Sequence, residues 1–379
     1  MSRKDTILIV STSFPMTNNG SEAAGAFVAD FVDELTKLAP TRVVGPGTKE
    51  AIEHTTAPVW RFAAGDKPLS LLSPLNPLHW IPILRTLRSL HRQVAAACAD
   101  GRVRHILALW VLPSGWAARS VARRLGISYS VWALGSDIWS LGKLPIVRNL
   151  LGRIGKEASF AFADGIQLGK DAETLCHRPF EFLPSSRKLS GVRSRPVATE
   201  PPYRLLFLGR WHSNKGIDLL LEALHLLDDE DWKKIEEVHI AGGGPLEKHV
   251  LTEVKSLRRS QRPIRLSGYL SKQQAEHALG KSDYVLIPSR IESIPVIFSD
   301  AINYQTPIIA MPVGDLPALT RMYDCHLSSE ISARSFAEKM KQKIHETEQK
   351  KHPEKSDEIE FTPSFSAQII QQRLEKINS

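Results

Sequence analysis

The chain has 379 residues, more than one comfortable hydrophobic core holds, so its length predicts two domains. Its 42% hydrophobic and 24% charged residues are ordinary for a globular protein, and no stretch approaches the roughly 20 apolar residues of a membrane span. The 49 basic and 41 acidic residues give a formal charge of +8. This excess favours an anionic partner: a nucleotide-sugar, a phospholipid surface or a nucleic acid.

The cysteines and the N-terminus indicate the cellular compartment. Cys98, Cys176 and Cys325 form neither a CxxC motif nor an even set, which favours a reduced compartment. The N-terminus has no long apolar signal core and passes directly into a strand-like run at residues 7–10. We therefore expect a cytoplasmic protein.

Short β-rich runs alternate with amphipathic stretches through the first half of the chain. The predicted strands are TILIVS (6–11), TRVVG (41–45), RHILALW (104–110), SYSVWAL (128–134) and DGIQL (164–168). After the first of them, Phe27, Phe31 and Leu35 recur at helical spacing, which predicts a helix. The stretch at 187–202 is rich in Arg, Ser and Pro and lacks periodicity, so it is the predicted linker.

The alternation of strands and helices starts again after residue 202. The predicted strands are YRLLFLG (203–209), EVHIAGGG (237–244), IRLSG (264–268), SDYVLIP (282–288) and TPIIAMP (306–312), each followed by a helical pattern. Ser271, followed three residues later by Gln274, predicts a capping box at one of the helix starts. This alternation is typical of parallel sheets covered by helices, which bind ligands at the C-terminal ends of their strands.

The turn after the strand at 203–209 carries two cations. Arg210 and Lys215 lie between the end of this strand and a helix that begins near Gly216. A guanidinium grips two phosphate oxygens, an ammonium supplies a compact charge, and a helix N-terminus favours anions. The pattern fits a diphosphate, although two exposed basic loop residues would give the same sequence.

Two carboxylates flank the start of a predicted helix in SRIESIPVIFSDAINYQTP (289–307). Ser293 is the predicted N-cap, and Pro295 fits only the first turn. Asp300 then lies about 10 Å further along the helix axis on the same face. We expect Glu292 to bind sugar hydroxyls, the N–H groups of the first turn to bind phosphate, and Asp300 to bind ribose. The weaker alternative is an acidic loop residue followed by an acidic helix surface.

Four segments in this order resemble the C-terminal half of a retaining GT-B glycosyltransferase: GRWHSNKGIDLLLEAL, IAGGGPLEKHV, IRLSGYLS and PSRIESIPVIFSDAINYQTPIIAMPVGDLPAL. More closely, they resemble the large family, glycosyl transferases group 1, that includes sucrose-phosphate synthases and bacterial mannosyl- and glucosyltransferases. SFPMTNNGSEAAGAFVADFVDEL, LWVLPSGWAA and LGSDIW resemble parts of the family's N-terminal half. The resemblance covers nearly the whole chain and is most specific over residues 204–320.

The resemblance implies an α/β protein with the GT-B fold, in which two Rossmann-like domains face each other across a cleft. It assigns residues 1–190 to an acceptor-binding domain and residues 203–350 to a nucleotide-sugar-binding domain. Residues 361–379 are expected to form a C-terminal helix that packs back toward the first domain.

Residue by residue, the resemblance also implies the site. Arg210 and Lys215 would contact the donor diphosphate, and Glu292, which opens the family's Glu-x7-Glu motif, would bind the donor sugar. The further donor-binding residues that it implies are Gly25, Gly135, Asp137, Gly209, Gly243, Tyr269, Leu270, Ser293, Ile294, Pro295, Val296 and Asp300. Of these, Gly25 would face the phosphates, the base would pack near Gly243 and Tyr269–Leu270, and Asp300 replaces the longer Glu that normally grips the ribose.

One position departs from the family pattern. The family usually has His-Gly-Ser-Asp where this chain has Leu134-Gly135-Ser136-Asp137, and that His normally points at the donor sugar. Leucine neither donates nor accepts a hydrogen bond. Retaining enzymes of this type are thought to use front-side departure, in which the leaving phosphate takes the acceptor proton. The departure therefore affects the choice of donor and the rate more than the existence of the reaction.

Other motifs are ordinary. The thirteen histidines include no metal-binding spacing, and the resemblance implies neither a cofactor nor a metal for the chemistry. The DxD at Asp229–Asp231 is interpreted as a solvated charge run at a helix end. AGGGPL is not a GxGxxG motif, and the basic residues do not alternate with stacking aromatics, so we expect neither a nicotinamide cofactor nor a nucleic acid.

The stretch at 69–94 predicts an amphipathic helix with a basic face. Its apolar face carries Ile83, Leu87, Leu90 and Val94, and the other face carries Arg85, Arg88 and Arg92. One interpretation is a core-facing helix with solvated arginines. The other is a basic, Trp-bearing surface that rests on anionic lipid at the inner face of the membrane.

We therefore expect a retaining glycosyltransferase that moves a sugar from a nucleotide-sugar donor to a glycan or lipid-linked acceptor, in cell-surface polysaccharide or glycolipid synthesis. Leu134 and Asp300 motivate a first alternative, a catalytically weak GT-B protein that acts as a binding or partner subunit. A second alternative is a GT-B nucleotide-sugar epimerase, for which the sequence shows no convincingly placed additional acid or base.

Overall fold

The computed structural model describes residues 5–16, 25–65, 69, 72–73, 75–189, 193–320, 322–346 and 361–378. The chain divides into two compact units, one of residues 1–188 with 362–379 and the other of residues 189–361. The predicted glycine loop after the first strand, at 17–24, lies outside the described residues, as do 347–360. Each unit contains its own sheet.

The first unit is an eight-stranded sheet in the order β3-β4-β2-β1-β5-β6-β7-β8, parallel except between β3 and β4. Its strands are β1 (Thr6–Val10), β2 (Thr41–Gly47), β3 (Ala51–Glu53), β4 (Val59–Ala63), β5 (Val103–Leu109), β6 (Ser128–Ala133), β7 (Ala161–Ala163) and β8 (Glu181–Phe182). Its helices are α1 (Ala26–Leu38), α2 (Trp80–Ala97), α3 (Ser114–Leu125), α4 (Ser136–Trp139), α5 (Pro145–Glu157), α6 (Ile166–Cys176) and, last in the chain, α14 (Pro363–Asn378).

Alternating side chains of the central strands form a separate core on each face of this sheet. Ile7 and Ile9 pack with α1 and α14 on one face, whereas Leu8 and Val10 pack with α2 and α3 on the other. The last helix is held to this unit by Ser366, whose hydroxyl donates to the carbonyl of Pro184 at 2.8 Å. The chain thus returns to its first unit after completing the second.

The second unit is a fully parallel six-stranded sheet in the order β11-β10-β9-β12-β13-β14. Its strands are β9 (Tyr203–Leu208), β10 (Ile235–Ala241), β11 (Ile264–Ser267), β12 (Tyr284–Ile287), β13 (Ile308–Ala310) and β14 (Cys325–Leu327). Its helices are α7 (Ile217–His225), α8 (Asp229–Trp232), α9 (Glu247–Arg259), α10 (Lys272–Lys281), α11 (Val296–Asn303), α12 (Leu316–Leu319) and α13 (Ala333–His345). The predicted capping box of Ser271 and Gln274 is confirmed at the start of α10.

One predicted strand is wrong. DGIQL (164–168) is not a strand, because the strand is β7 immediately before it and α6 begins at Ile166. The run Ala161–Ala163 is too short to show the alternation of a strand in the sequence, although all three residues are buried. Leu168 faces the core from the helix, so its apolar character was interpreted with the wrong period.

The end of the predicted linker belongs to the second unit. Arg193 donates to the carbonyls of Ser282 and Tyr304 at 2.6 and 3.2 Å. The buried carboxylate of Asp283 accepts from the guanidinium of Arg195 at 3.1 Å and from the backbone N–H of Ala198 at 2.8 Å. Arg193 and Arg195, which contributed to the linker prediction, therefore attach this part of the chain to the second unit.

Asp231, interpreted above as part of a solvated charge run, is a second such correction. Its side chain is buried and accepts from Lys341 at 2.7 Å and His345 at 3.0 Å, both on α13. It also completes a capping box with Asp228 at the start of α8. Asp231 thus links two helices, and the side chains that pair with it are over a hundred positions away in sequence, where no local pattern reveals them.

Among the described residues, no helix has the length and apolar character needed to cross a bilayer. In the same residues no cluster of three or more His, Cys, Asp or Glu side chains has the arrangement of a metal site.

Candidate active site

The strand order of the second sheet reverses between β9 and β12, which are direct neighbours. In open parallel sheets, ligands bind at the carboxyl ends of the strands where the order reverses. The loop from Gly209 to Gly216 leaves β9 here, and the loop from Pro288 to Pro295 leaves β12 here. The fold therefore brings the two motifs predicted from sequence to one place.

The loop after β9 is shaped by a short 3₁₀ turn, Ser213–Lys215. The Nδ1 atom of His212 accepts the N–H of Asn214 at 3.1 Å and caps this turn. Burial, together with the positive charges of Arg210 and Lys215, lowers the pKa of His212, so its ring stays neutral and able to accept. Arg210 itself is exposed to solvent at the end of the strand.

Arg290 binds the two loops to each other. Its guanidinium donates to both carboxylate oxygens of Asp218 at 2.8 and 2.7 Å and to the carbonyl of Ser213 at 2.7 Å, while its backbone N–H donates to the carbonyl of Asn214 at 2.8 Å. Burial raises the pKa of Asp218, but the hydrogen bonds and charge of Arg290 with two backbone N–H groups outweigh it and lower the pKa. Sequence reasoning did not identify this pair, although a bidentate partner is the typical role of a half-buried arginine.

Lys215 and Glu292 contact each other across the same junction. The ammonium of Lys215 forms an ion pair with Oε1 of Glu292, and the hydroxyl of Ser289 donates to the same oxygen at 3.2 Å. The side chain of Glu292 is 13% exposed and that of Lys215 is 37% exposed. The residue expected to bind phosphate and the residue expected to bind sugar are therefore adjacent.

The predicted start of α11 is wrong. Pro295 is the N-cap, with φ −61° and ψ 135°, and the helix begins at Val296. Ser293 is buried, and its carbonyl accepts the N–H of Asp315 at 3.1 Å, so it is part of the loop. The first-turn N–H groups without a partner inside the helix are those of Val296 and Ile297. Both were among the predicted phosphate-binding N–H groups, whereas Ile294, the third, lies in the loop before the helix, and the anion site stays a prediction.

Asp300 lies on the second turn of α11 and is 1% exposed. Because residues 293–295 are not helical, its predicted separation of about 10 Å from Ser293 does not hold. A donor ribose would have to reach a carboxylate that the second unit now covers almost completely. The role of Asp300 remains a prediction.

Gly216 and Gly314 allow the loops to approach closely. Gly216 has φ 66°, and a Cβ atom there would lie 1.7 Å from the carbonyl oxygen of Pro288. Gly314 has φ 53°, and its Cβ would lie 2.2 Å from the carbonyl oxygens of both Glu292 and Ser293. Gly314 was not identified from sequence, although a glycine before Asp in a loop is a common signal for positive φ.

Gly216→Ala is expected to destabilise the second unit by roughly 3 kcal/mol, because it adds both a clash and positive-φ strain. The measurement is the thermal unfolding midpoint without ligand. Gly268→Ala is the matched control, because a Cβ at Gly268 meets no heavy atom within 4 Å. Equal midpoints for the two variants would contradict this packing.

The loop after β10 forms the third wall of this site. The N–H of Trp211 donates to the carbonyl of Gly243 at 2.8 Å, which joins the loop to the β9 turn. The hydroxyl of Tyr269 donates to the same carbonyl, also at 2.8 Å, while the residue as a whole is 48% exposed beside half-buried Leu270. An exposed aromatic ring held at its hydroxyl offers a surface for stacking.

The other predicted site residues lie in the first unit. Gly25, with φ 75°, precedes α1, and a Cβ there would lie 2.3 Å from the carbonyl oxygen of Ser13. Leu134 is half-buried at the end of β6 against the core that α1 covers, and Gly135 follows it with φ 101°.

Asp137 shapes this end of β6. Its carboxylate is fully buried and accepts the backbone N–H groups of Val111, Leu134 and Ile138 at 2.6, 3.3 and 3.1 Å. Burial raises the pKa of Asp137 to about 6, although these hydrogen bonds act in the opposite direction. Because its oxygens are occupied by backbone groups, Asp137 positions the loop that presents Leu134.

Comparison with known proteins gives one matching family. Residues 202–346 match the family Glycosyl transferases group 1. TuaC of Bacillus subtilis (strain 168), a protein assigned to teichuronic acid biosynthesis as a glycosyltransferase, is 25% identical over 290 residues. That alignment covers 71% of this chain and 69% of TuaC.

Solved structures share the whole fold. Sucrose-phosphate synthase from Thermosynechococcus elongatus is 16% identical, with a TM-score of 0.71 and 99% of each chain covered. HepE of Anabaena in complex with UDP-glucose is 14% identical, with a TM-score of 0.66 and 99% of each chain covered. At these identities the likeness shows the fold, and the predicted GT-B architecture is confirmed. The chain has the GT-B fold, and its residues 202–346 match the Glycosyl transferases group 1 family.

Proposed function

We propose that the protein is a retaining glycosyltransferase that moves a sugar from a nucleotide-sugar donor to a glycan or lipid-linked acceptor. The proposed setting is cell-surface polysaccharide or glycolipid synthesis in the cytoplasm, at the inner face of the membrane. The likeness to TuaC, which is assigned to teichuronic acid biosynthesis, supports this setting, and HepE with UDP-glucose supports the class of donor.

The observation that carries the proposal is the contact between Lys215 and Glu292 where the order of the second sheet reverses. A cation for a diphosphate and a carboxylate for sugar hydroxyls are needed side by side, since the anomeric carbon and the β-phosphorus share one oxygen. The N–H groups of Val296 and Ile297 add a dipole that favours the same anion. The exposed ring of Tyr269 supplies a surface for the base.

In the proposed reaction the bond between the anomeric carbon and the phosphate oxygen breaks, and a bond to the acceptor oxygen forms on the same face. The acceptor proton moves to the departing phosphate oxygen. Arg210 and Lys215 stabilise the negative charge that develops on the diphosphate, an electrostatic role that often dominates catalysis. Glu292 orients the sugar. No residue has to carry the proton, and the proposal requires no metal or other cofactor.

The experiment combines a thermal-shift panel of UDP, GDP and ADP with their sugars and an NMR assignment of the product anomer. A ligand at 100 times its Kd adds about 2.7 kcal/mol of stability, enough for a clear shift. Retention of the donor configuration supports the proposal, and inversion overturns the mechanism. Binding without transfer or donor hydrolysis would favour a binding subunit. Conversion of the donor sugar without an acceptor would favour an epimerase.

The apolar side chain of Leu134 predicts the choice of donor. Where the family's His meets a polar group of the sugar, Leu134 should favour a donor without one, such as a 6-deoxy sugar or a pentose. A buried hydroxyl without a partner costs about 1–3 kcal/mol, which corresponds to ten- to a hundredfold discrimination in kcat/KM. Leu134→His should shift the preference toward the hexose. A tenfold or greater hexose preference in the parent protein would rule this account out.

A further inference from the structure

The segment before α2 and the first turns of that helix carry a cluster of exposed large apolar side chains. Leu75, Leu78, Trp80, Ile81 and Leu84, here called the apolar cluster, are between 50% and 84% exposed. The other exposed large apolar residues of the described chain are scattered over both units. Five such residues within ten positions are a local concentration of exposed apolar side chains, and such concentrations mark interaction surfaces.

The apolar cluster does not belong to the core that α2 covers. The helix buries a different face, made of Thr86, Ser89, Leu90, Gln93, Val94 and Ala97. Ile81 and Leu84 lie on the opposite side, because three- and four-residue steps from them lead to Arg85 and Arg88 rather than to the buried residues. Of the predicted apolar face, Leu90 and Val94 are buried, whereas Ile83 and Leu87 are only half-buried. The solvent face begins with apolar residues that the sequence interpretation had not separated.

The preceding turn holds its two leucines outward. The side chain of Asn76 accepts the N–H of Leu78 at 3.0 Å, and Nδ1 of His79 accepts the N–H of Ser73 at 2.9 Å. The exposure of Leu75 and Leu78 therefore belongs to an ordered turn.

Arginines continue the surface along the helix. Arg85 and Arg88 are exposed, and within the described residues neither forms an ion pair, whereas Arg92 pairs with Glu50. Arg88 lies seven residues after Ile81, about 10 Å along the axis on the same face. The surface thus changes from apolar to cationic along one line.

We propose that the apolar cluster, together with Arg85 and Arg88, docks the protein on an anionic lipid bilayer. Leu, Ile and Trp side chains enter the boundary between headgroups and acyl chains, and the arginines contact the anionic headgroups beside them. The apolar cluster matches the acyl chains, and the adjacent arginines match the anionic headgroups. The excess of 49 basic over 41 acidic residues also attracts the protein to an anionic surface. The indole of Trp80 suits the interface because its ring is apolar and its N–H is polar.

The test is flotation of the full chain with phosphatidylcholine vesicles with and without phosphatidylglycerol. We expect binding that depends on phosphatidylglycerol and weakens at high salt. Arg85→Gln/Arg88→Gln should lower the vesicle partition coefficient about 30-fold. Ile81→Ser/Leu84→Ser should lower it by at least about 30-fold, and this loss should persist at high salt.

A matched control uses α9, whose exposed face also carries an apolar residue and two cations. Leu251→Ser and Lys255→Gln/Arg259→Gln repeat the same chemical changes there and should leave flotation unchanged. Since all changed residues are exposed, every variant should keep the parent's melting temperature. Quenching of tryptophan fluorescence by brominated lipid should be lost in Trp80→Phe, which identifies the surface that enters the bilayer.

Three results would overturn the proposal: no flotation of the parent, equal loss in the α9 variants, or quenching that persists in Trp80→Phe. If the parent is a dimer without lipid and Ile81→Ser/Leu84→Ser is a monomer, the surface is an interface between two copies instead. None of these measurements requires sugar transfer, so failure here is distinguishable from failure of the proposed reaction.

Discussion

Glu292→Gln is expected to lower kcat by about 100-fold, while the affinity for the nucleoside diphosphate stays the same or rises. Glutamine keeps the shape of the side chain but loses the negative charge that strengthens the hydrogen bonds accepted from sugar hydroxyls. It also breaks the ion pair that holds Lys215 in the unliganded protein. Lys215 is then released toward the phosphates, and the repulsion between a carboxylate and the diphosphate disappears.

Steady-state kinetics with the donor and calorimetry with the free diphosphate separate these two effects. Glu230→Gln is the matched control, because Glu230 forms an exposed ion pair with Lys233 in the same unit. A Glu292→Gln variant with near-normal kcat would remove Glu292 from the site. A variant that loses diphosphate affinity and kcat by the same factor would mean that the carboxylate supports the phosphate pocket instead.

Five of the six strands that the structure describes in the second unit could be predicted, because they are mostly buried runs separated by clear helical patterns. The three-residue strand Cys325–Leu327 was not predicted. The strands at 203–208, 235–241 and 284–287 each coincide with an apolar run that ends at glycine or proline. In the first unit, the three-residue strand Ala161–Ala163 was missed because a run that short has no period. The sequence signal there came from the helix that follows.

Parts of the candidate site depend on contacts that no local pattern records. Lys215 and Glu292 were assigned from motifs 77 positions apart, and their contact follows only once β9 and β12 are neighbours. Arg290 and Asp218 lie 72 positions apart, and although both fall in segments that resemble the family, no local pattern pairs them. Ser293, two positions before a proline, predicts an N-cap from sequence alone. In the structure the backbone N–H of Asp315 donates to the carbonyl of Ser293, and the helix begins only at Val296.

Lys215→Met should reduce diphosphate affinity about 10- to 100-fold and kcat/KM about 100- to 1,000-fold. Methionine keeps most of the length and apolar bulk of the side chain and removes only the ammonium. It also leaves the carboxylate of Glu292 without its cation, next to the place where the phosphates are expected. Lys233→Met, in the exposed pair with Glu230, is the matched control and should change neither quantity. The Lys215–Glu292 pair is partly exposed, so the melting temperature should change little.

The double variant Lys215→Met/Glu292→Gln distinguishes two possible roles of Lys215: binding the diphosphate and holding the side chain of Glu292. Neither single variant can distinguish them. If Lys215 binds the diphosphate, removing its charge should still weaken diphosphate binding when residue 292 is neutral. If Lys215 serves only to hold Glu292, the second change should have no further effect in that background. We expect a loss that persists but is smaller than in the parent, because part of the single-variant loss is repulsion from an uncompensated Glu292. Full additivity would mean that the two side chains act separately, despite their contact.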